Sequence, residues 1–276
     1  MKKIVWLLMM VVMPMVANAA FSRNADLEDE DELFHRLDQY IARRSEFSSK
    51  KEKKLMRMKK KLNLTSGKRE RLNLYNQIYR EYYTYRYDSA MVYANRGLQL
   101  AEQLHDDYYI NLNKINRAAV LSTGGFYSQA EDLLLSLKPE DISPKLMQYY
   151  YYTLTWVYNY WGAFCERSEF KEEMQDKKRL YLAKTLEYMG NKQSALYYYL
   201  SGELEYLLHR TDKKVLSWYQ KALAASSVDS RVHASAAYCI ARYYQDNEQM
   251  GIYEKYLVEA AISDQVCPLK ENLALQ

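Results

Sequence analysis

Residues 112–137 read LNKINRAAVLSTGGFYSQAEDLLLSL, and this stretch decides the fold. Ala118 and Ala130 stand twelve residues apart on either side of a Gly124-Gly125 break, with Tyr127 three residues before Ala130. Two helices joined by a short turn cross closely only where a side chain is small, so an alanine on each, with glycines between, marks a helical hairpin and its contact point. A related Tyr-x-x-Ala step recurs from Tyr87 to Ala90, within YRYDSAMVYANRGLQLAEQL. The hairpin therefore reads as one unit of a repeat.

Composition agrees. The chain of 276 residues is 49% hydrophobic and 27% charged, with only eight glycines and four prolines, which excludes a disordered chain and favours helix over strand. Working outward from the hairpin, helix pairs are expected at 68–84 with 88–104, 107–123 with 128–137, 144–164 with 168–189, 194–209 with 212–225, and 230–245 with 250–262. Ser143-Pro144, Gly190-Asn191, the 226–230 segment and Asp246-Asn247 supply stop and start signals. The repeats are degenerate: the positions matching Ala118 and Ala130 are Ile78 and Ala90 in the first pair, and Ala241 and Tyr253 in the last. Stacked hairpins touch mainly their neighbours, so the expected overall form is elongated.

Before the repeats the sequence changes character. Lys2 and Lys3 precede an apolar run over residues 4–16 and then Ala17-Asn18-Ala19, a small-x-small cleavage signature. Residues 1–19 read as a signal peptide, which places the mature chain in the periplasm. No cysteine follows the small residues, which argues against a lipid anchor. Residues 20–32 read as an acidic disordered segment, since six of the seven residues from Asp26 to Glu32 are acidic. Residues 33–66 read as a charged helical segment, one long helix or two in succession, with an apolar seam at Leu33, Leu37, Tyr40, Phe47, Leu55, Met58 and Leu62. Its run SKKEKKLMRMKKKL, residues 49–62, could hold anionic lipid or an acidic partner. Leu55, Met58 and Leu62 give it a face to bury, so it reads first as the solvated side of a helix lying against the first repeat. The net charge of +4 is too small for a general nucleic-acid binder, and no nucleic acid is expected outside the cytoplasm.

Catalytic signatures are missing. His35, His105, His209 and His233 are scattered without ligand spacing, and no metal is expected. Glu166, Glu169, Glu172, Glu173 and Asp176 are interleaved with lysines and describe a wet helix face. Gly124-Gly125 lacks a following Lys-Ser or Lys-Thr, and no G-x-S-x-G turn is present. Cys165, Cys239 and Cys267 are odd in number and lack C-x-x-C spacing; buried free thiols are the expected state, with a single bridge left open. The expectation is a protein that is no enzyme and holds no cofactor.

Ala118, Gly124-Gly125, Tyr127 and Ala130, with WYQKAL at residues 218–223, resemble the tetratricopeptide repeat. The resemblance implies an all-α, helical-hairpin solenoid, a right-handed superhelix with the charged N-terminal helix added to it. Tyr87-Asp88-Ser89-Ala90, the run 93–104 and YEKYLVEAAISDQVCPLKENLALQ at 253–276 are further similar to the extracytoplasmic repeat region of transcriptional regulators from Gram-negative bacteria. There a secreted repeat array precedes a membrane helix and a cytoplasmic regulatory part, so that resemblance implies sensing or scaffolding. Residues 268–276 look like the start of another first helix, which makes the last repeat incomplete and leaves any membrane contact to a segment beyond it.

Tyrosine, with 29 residues, is the unusual feature. Consecutive helical residues step about 100° around the axis, so Tyr149 to Tyr152 cannot all face one core; tyrosine rings pack while their hydroxyls need partners, so half-buried positions between repeats are the first reading for them and a ligand wall the second. On the first repeat helix Leu72, Tyr75, Tyr79, Tyr82 and Tyr83 share a face that the resemblance turns toward the concave side. Tyr75, Tyr79, Tyr82 and Tyr83 are therefore the candidate ligand groove, for a peptide or protein partner first and for a carbohydrate, as in nutrient uptake, second. Rings that serve only as such a wall should be removable without unfolding the chain.

Overall fold

The computed structural model describes residues 30–268, and those residues form twelve α-helices with no strand among them. Two helices precede the repeats: α1 (Glu30–Ala42) and α2 (Arg44–Leu64). Five pairs follow: α3 (Lys68–Tyr83) with α4 (Tyr87–Gln103), α5 (Asp107–Thr123) with α6 (Tyr127–Leu135), and α7 (Pro144–Phe164) with α8 (Lys171–Glu187). Then come α9 (Ala195–Leu208) with α10 (Lys213–Ala224), and α11 (Arg231–Asp246) with α12 (Met250–Val266). The expected signal peptide and the expected incomplete repeat past Pro268 lie outside the described residues. Of the expected acidic segment, Glu30 to Glu32 already belong to the first turn of α1, where carboxylates favour the amino-terminal end of a helix.

Local chemistry sets the boundaries. The side chains of Asp106, Ser194, Asp212 and Ser230 each accept a bond from a first-turn amide, of Tyr109, Tyr197, Lys214 and His233 respectively, and so start α5, α9, α10 and α11. Gly125 adopts φ 86° in the turn after α5, a conformation a side chain disfavours, while a Cβ on Gly124 would fall 2.4 Å from the Tyr87 ring. Both glycines are thus fixed by the turn. Ala118 and Ala130 are fully buried in one cluster with Leu134 and Leu154, as the hairpin reading requires.

Three large apolar clusters follow the array: α2 to α5, α5 to α8, and α8 to α11. In the first of them, Leu55 and Leu62 of α2 pack with Leu74 and Ile78 of α3, so the basic helix does lie against the first repeat. Glu81 of α3 fastens it, accepting from Lys51 at 2.9 Å and Lys54 at 2.7 Å.

The expected elongated form is corrected. Helix α12 packs on α1 and also touches α2, so the last described helix meets the helices that precede the first pair. Leu33 of α1 is buried with Val258 and Ile262 of α12, and Arg36 reaches Glu259 at 3.4 Å. An open solenoid keeps its first and last helices apart, whereas here α1 and α12 bury apolar side chains against each other. The array bends into a closed ring around a hollow lined by the first helices of the pairs.

Candidate ligand groove

The structure divides the four tyrosines singled out by sequence. On α3, Tyr82 and Tyr83 flank the others, and the set spans about 100° of the helix circumference. Two neighbours share that arc. Tyr82 stacks on Tyr93 of α4 with centroids 5.7 Å apart and lies under Lys59 of α2; Tyr75 also packs on Tyr93, at 6.2 Å. Neither ring lines the hollow. Tyr79 and Tyr83 turn the other way, toward α5 and α7. Because Tyr79 and Tyr82 are each only 2% exposed, the expectation that such rings could be truncated without cost is corrected for both.

Tyr79 belongs to a polar ladder that ties three inner helices together. Its hydroxyl donates to the Asn116 carbonyl at 3.1 Å and lies 3.3 Å from that of Tyr149, which is 2.9 Å from Asn116 Oδ1. Asn116 in turn donates to Asn76 Oδ1 at 3.0 Å. Burial pushes the Tyr149 hydroxyl up to about 12, so it stays protonated and available as a donor. These contacts set the spacing of α3, α5 and α7, and the groove opens beside them.

Three adjoining chambers open along the hollow among the described residues. The first, of about 400 Å³, lies among Tyr79, Tyr83, Asn116, Gln148 and Tyr149, with Arg80 and Lys145 at its rim. Gln148 and Tyr149 also bound the second, of about 260 Å³, together with Tyr152, Trp156, Tyr199 and Arg231. The third, of about 130 Å³, shares Trp156, Tyr199 and Arg231 and ends on Glu203 and Arg242. Helices α3, α5, α7, α9 and α11 contribute to this lining. Burial raises the Tyr83 hydroxyl well above its ordinary range, and Tyr160 and Arg231 act on it from α7 and α11 across the hollow. Arg231 and Tyr160 are themselves joined at 3.2 Å.

Sequence reasoning missed the floor of the third chamber. Glu203 is 5% exposed, and its carboxylate accepts from Lys178 at 3.2 Å, Arg242 at 3.1 Å and Tyr219 at 2.8 Å. Burial alone would raise its pKa, but the two cations overcome that penalty and bring it down to about 2. Cys239 lies 3.4 Å from the same carboxylate, and burial with that neighbour pushes its thiol up to about 12. A thiol so protonated is a poor nucleophile. The carboxylate is ionised at neutral pH and lacks the raised pKa of a general acid, so the cluster pins α8, α9, α10 and α11 together. Cys165, Cys239 and Cys267 are all free thiols. Among the described residues no group of His, Cys, Asp and Glu could hold a metal ion, and no helix is long and apolar enough to cross a membrane.

A groove on the inner wall of paired helices is the arrangement of a tetratricopeptide array, and residues 41–276 match the family described as the SusR N-terminal TPR domain. The chain belongs to that family. No curated protein matches the sequence. Membership covers α2 and all five pairs, so in this SusR-type domain the basic helix is part of the family's unit along with the repeats. The all-helical solenoid is of the kind that generally mediates protein–protein interaction, and the family is a scaffold fold typically without catalysis.

Proposed function

We propose that the ring is a non-catalytic periplasmic module whose inner groove captures a segment of polypeptide, and that it acts as the sensing or scaffolding arm of a signalling protein. The observation that carries this reading is the run of three adjoining chambers walled by Tyr83, Tyr149, Tyr152, Trp156 and Tyr199. An extended segment lays successive side chains into adjoining pockets while its backbone meets fixed donors and acceptors, here Gln148 and the hydroxyls of Tyr83 and Tyr152. The periplasmic reading rests on residues 1–19, with their paired lysines, apolar run and Ala-x-Ala end.

Carbohydrate is the second reading, and Trp156 favours it. Its ring borders two chambers. A flat ring bordering a cavity suits the face of a sugar. Calorimetric titration with a mixed-sequence peptide pool, and separately with an oligosaccharide panel, tests both. Replacing the half-buried Tyr83 and Tyr152 by Ala should weaken peptide binding by a factor on the order of 30 or more while leaving helix content unchanged. Saturable binding from oligosaccharides alone would replace the peptide reading by its rival. Peptide binding untouched by the double substitution would move the site out of the groove.

A further inference from the structure

The groove makes no use of α2. Around this 21-residue helix, Leu55 and Leu62 define the buried side. At about 100° per residue, Lys50, Lys53, Arg57, Lys60 and Lys61 fall within about 70° of the opposite direction. All five are exposed. None has an ion-pair partner among the described residues, whereas both acids of the helix are engaged: Glu46 by Arg43 at 3.0 Å, and Glu52 by Arg86 at 3.0 Å. The outward face therefore carries uncompensated positive charge along a length of about 17 Å, from Lys50 to Lys61. Two apolar side chains stand out beside it: Met56 is 64% and Leu64 79% exposed.

We propose that this face of α2 docks the ring onto an anionic phospholipid surface. Charge complementarity is the first argument, since cations held near such a surface each add to the attraction. The kind of cation is the second. Four of the five are lysines, which are depleted at protein–protein contacts, where Arg and aromatic anchors are preferred; on lipid, long flexible ammonium chains reach headgroups while their stems lie on the acyl boundary. Met56 and Leu64 supply the apolar insertion that a purely solvated face would not need. Leu64 lies on the outward side itself, on the line through Lys53, Arg57 and Lys60 at helical spacing.

Co-sedimentation of the purified chain with vesicles of equal parts phosphatidylglycerol and phosphatidylcholine, against phosphatidylcholine alone, tests the proposal. Binding is expected to the anionic vesicles only, and to fall as salt is raised. The variant Lys53→Gln, Arg57→Gln, Lys60→Gln, Lys61→Gln should lose a hundredfold or more in partitioning, at about fivefold per cation. Replacing the same three lysines by Arg should preserve binding, since the attraction needs charge and not one side-chain shape. Equal binding to both vesicles, no binding to either at low salt, or anionic binding unaffected in the Gln variant would each overturn it. So would loss of polyglutamate binding in that variant without any vesicle binding by the parent, which would make the partner an acidic polypeptide.

Discussion

Replacing Glu203 by Gln removes one charge and almost no volume, leaving Lys178 and Arg242 facing each other across an uncharged amide. The depression of the Glu203 pKa from an ordinary 4.5 to about 2 corresponds to roughly 3 kcal/mol of preferential stabilisation of the ionised form. Removing one partner of a buried pair costs about 3–5 kcal/mol. Lys178 and Arg242 keep 13% and 29% of their side-chain surface exposed, and Gln can still accept from Tyr219, so the lower end applies. For a chain of this size that is a fall in melting temperature on the order of 10 °C. A depressed carboxylate contributes fully above its unfolded pKa and loses that contribution as pH falls toward the folded value. The gap between parent and variant should therefore be widest near neutrality and shrink through the acid range, as read by denaturant titrations at about pH 7, 5 and 3. A variant as stable as the parent at neutral pH, or a gap that stays constant with acidification, would refute the account of the cluster as an ionised clamp.

Other perturbations test the packing around it. A Cβ at Gly202 would fall 2.6 Å from the Tyr219 ring, whose hydroxyl is held by Glu203; Gly202→Ala should cost about 1–3 kcal/mol in denaturant titration. Ala118→Leu overfills a fully buried crossing and should cost a similar amount, about 1–3 kcal/mol, by the same assay. Leu33→Ala removes the main apolar contact of α1 with α12, and should speed amide exchange in α1 by about tenfold or more while the rest of the ring keeps its protection. Glu259 is held below the ordinary carboxylate range by its bond to His233, with Arg36 adding to the effect. The α1 contact should accordingly loosen as pH falls through that lowered pKa, read by the same exchange measurement.

Most of the helical order was legible because its signals are local. The expected 107–123 and 144–164 helices coincide with α5 and α7, whose starts are marked by Asp106 and by Pro144. For α8 the expected start at 168 falls three residues early, since residues 165–170 form turns in which Ser168 bonds back to Cys165. Ring closure was not legible. It depends on Leu33 and Arg36 meeting Val258, Glu259 and Ile262 more than two hundred residues later, and the seam of α1 reads like that of any amphipathic helix.

The groove shows why a correct periodicity left its wall half wrong. Tyr75, Tyr79, Tyr82 and Tyr83 do share one arc of α3, but an arc of about 100° is wide enough to touch α4 on one side and the hollow on the other. Periodicity gives the angle and cannot say where along it the neighbour ends. In the run Tyr149 to Tyr152 the same arithmetic works, because positions three apart return to nearly the same direction. Tyr149 and Tyr152 line the second chamber, while Tyr150 and Tyr151 are buried with Leu154 in the core. Glu203 sits in a stretch, SGELEY, that announces nothing, since its partners Lys178 and Arg242 are 25 and 39 residues distant. Tyrosine supplies the common element: its ring packs like a core residue while its hydroxyl spans to the next helix, as Tyr79 does to Asn116 and Tyr219 to Glu203. A degenerate repeat can in this way keep its helices in register through side-chain bonds where its small crossing residues have been lost, and the same rings, where the ring bends and no helix covers them, become the wall of the groove.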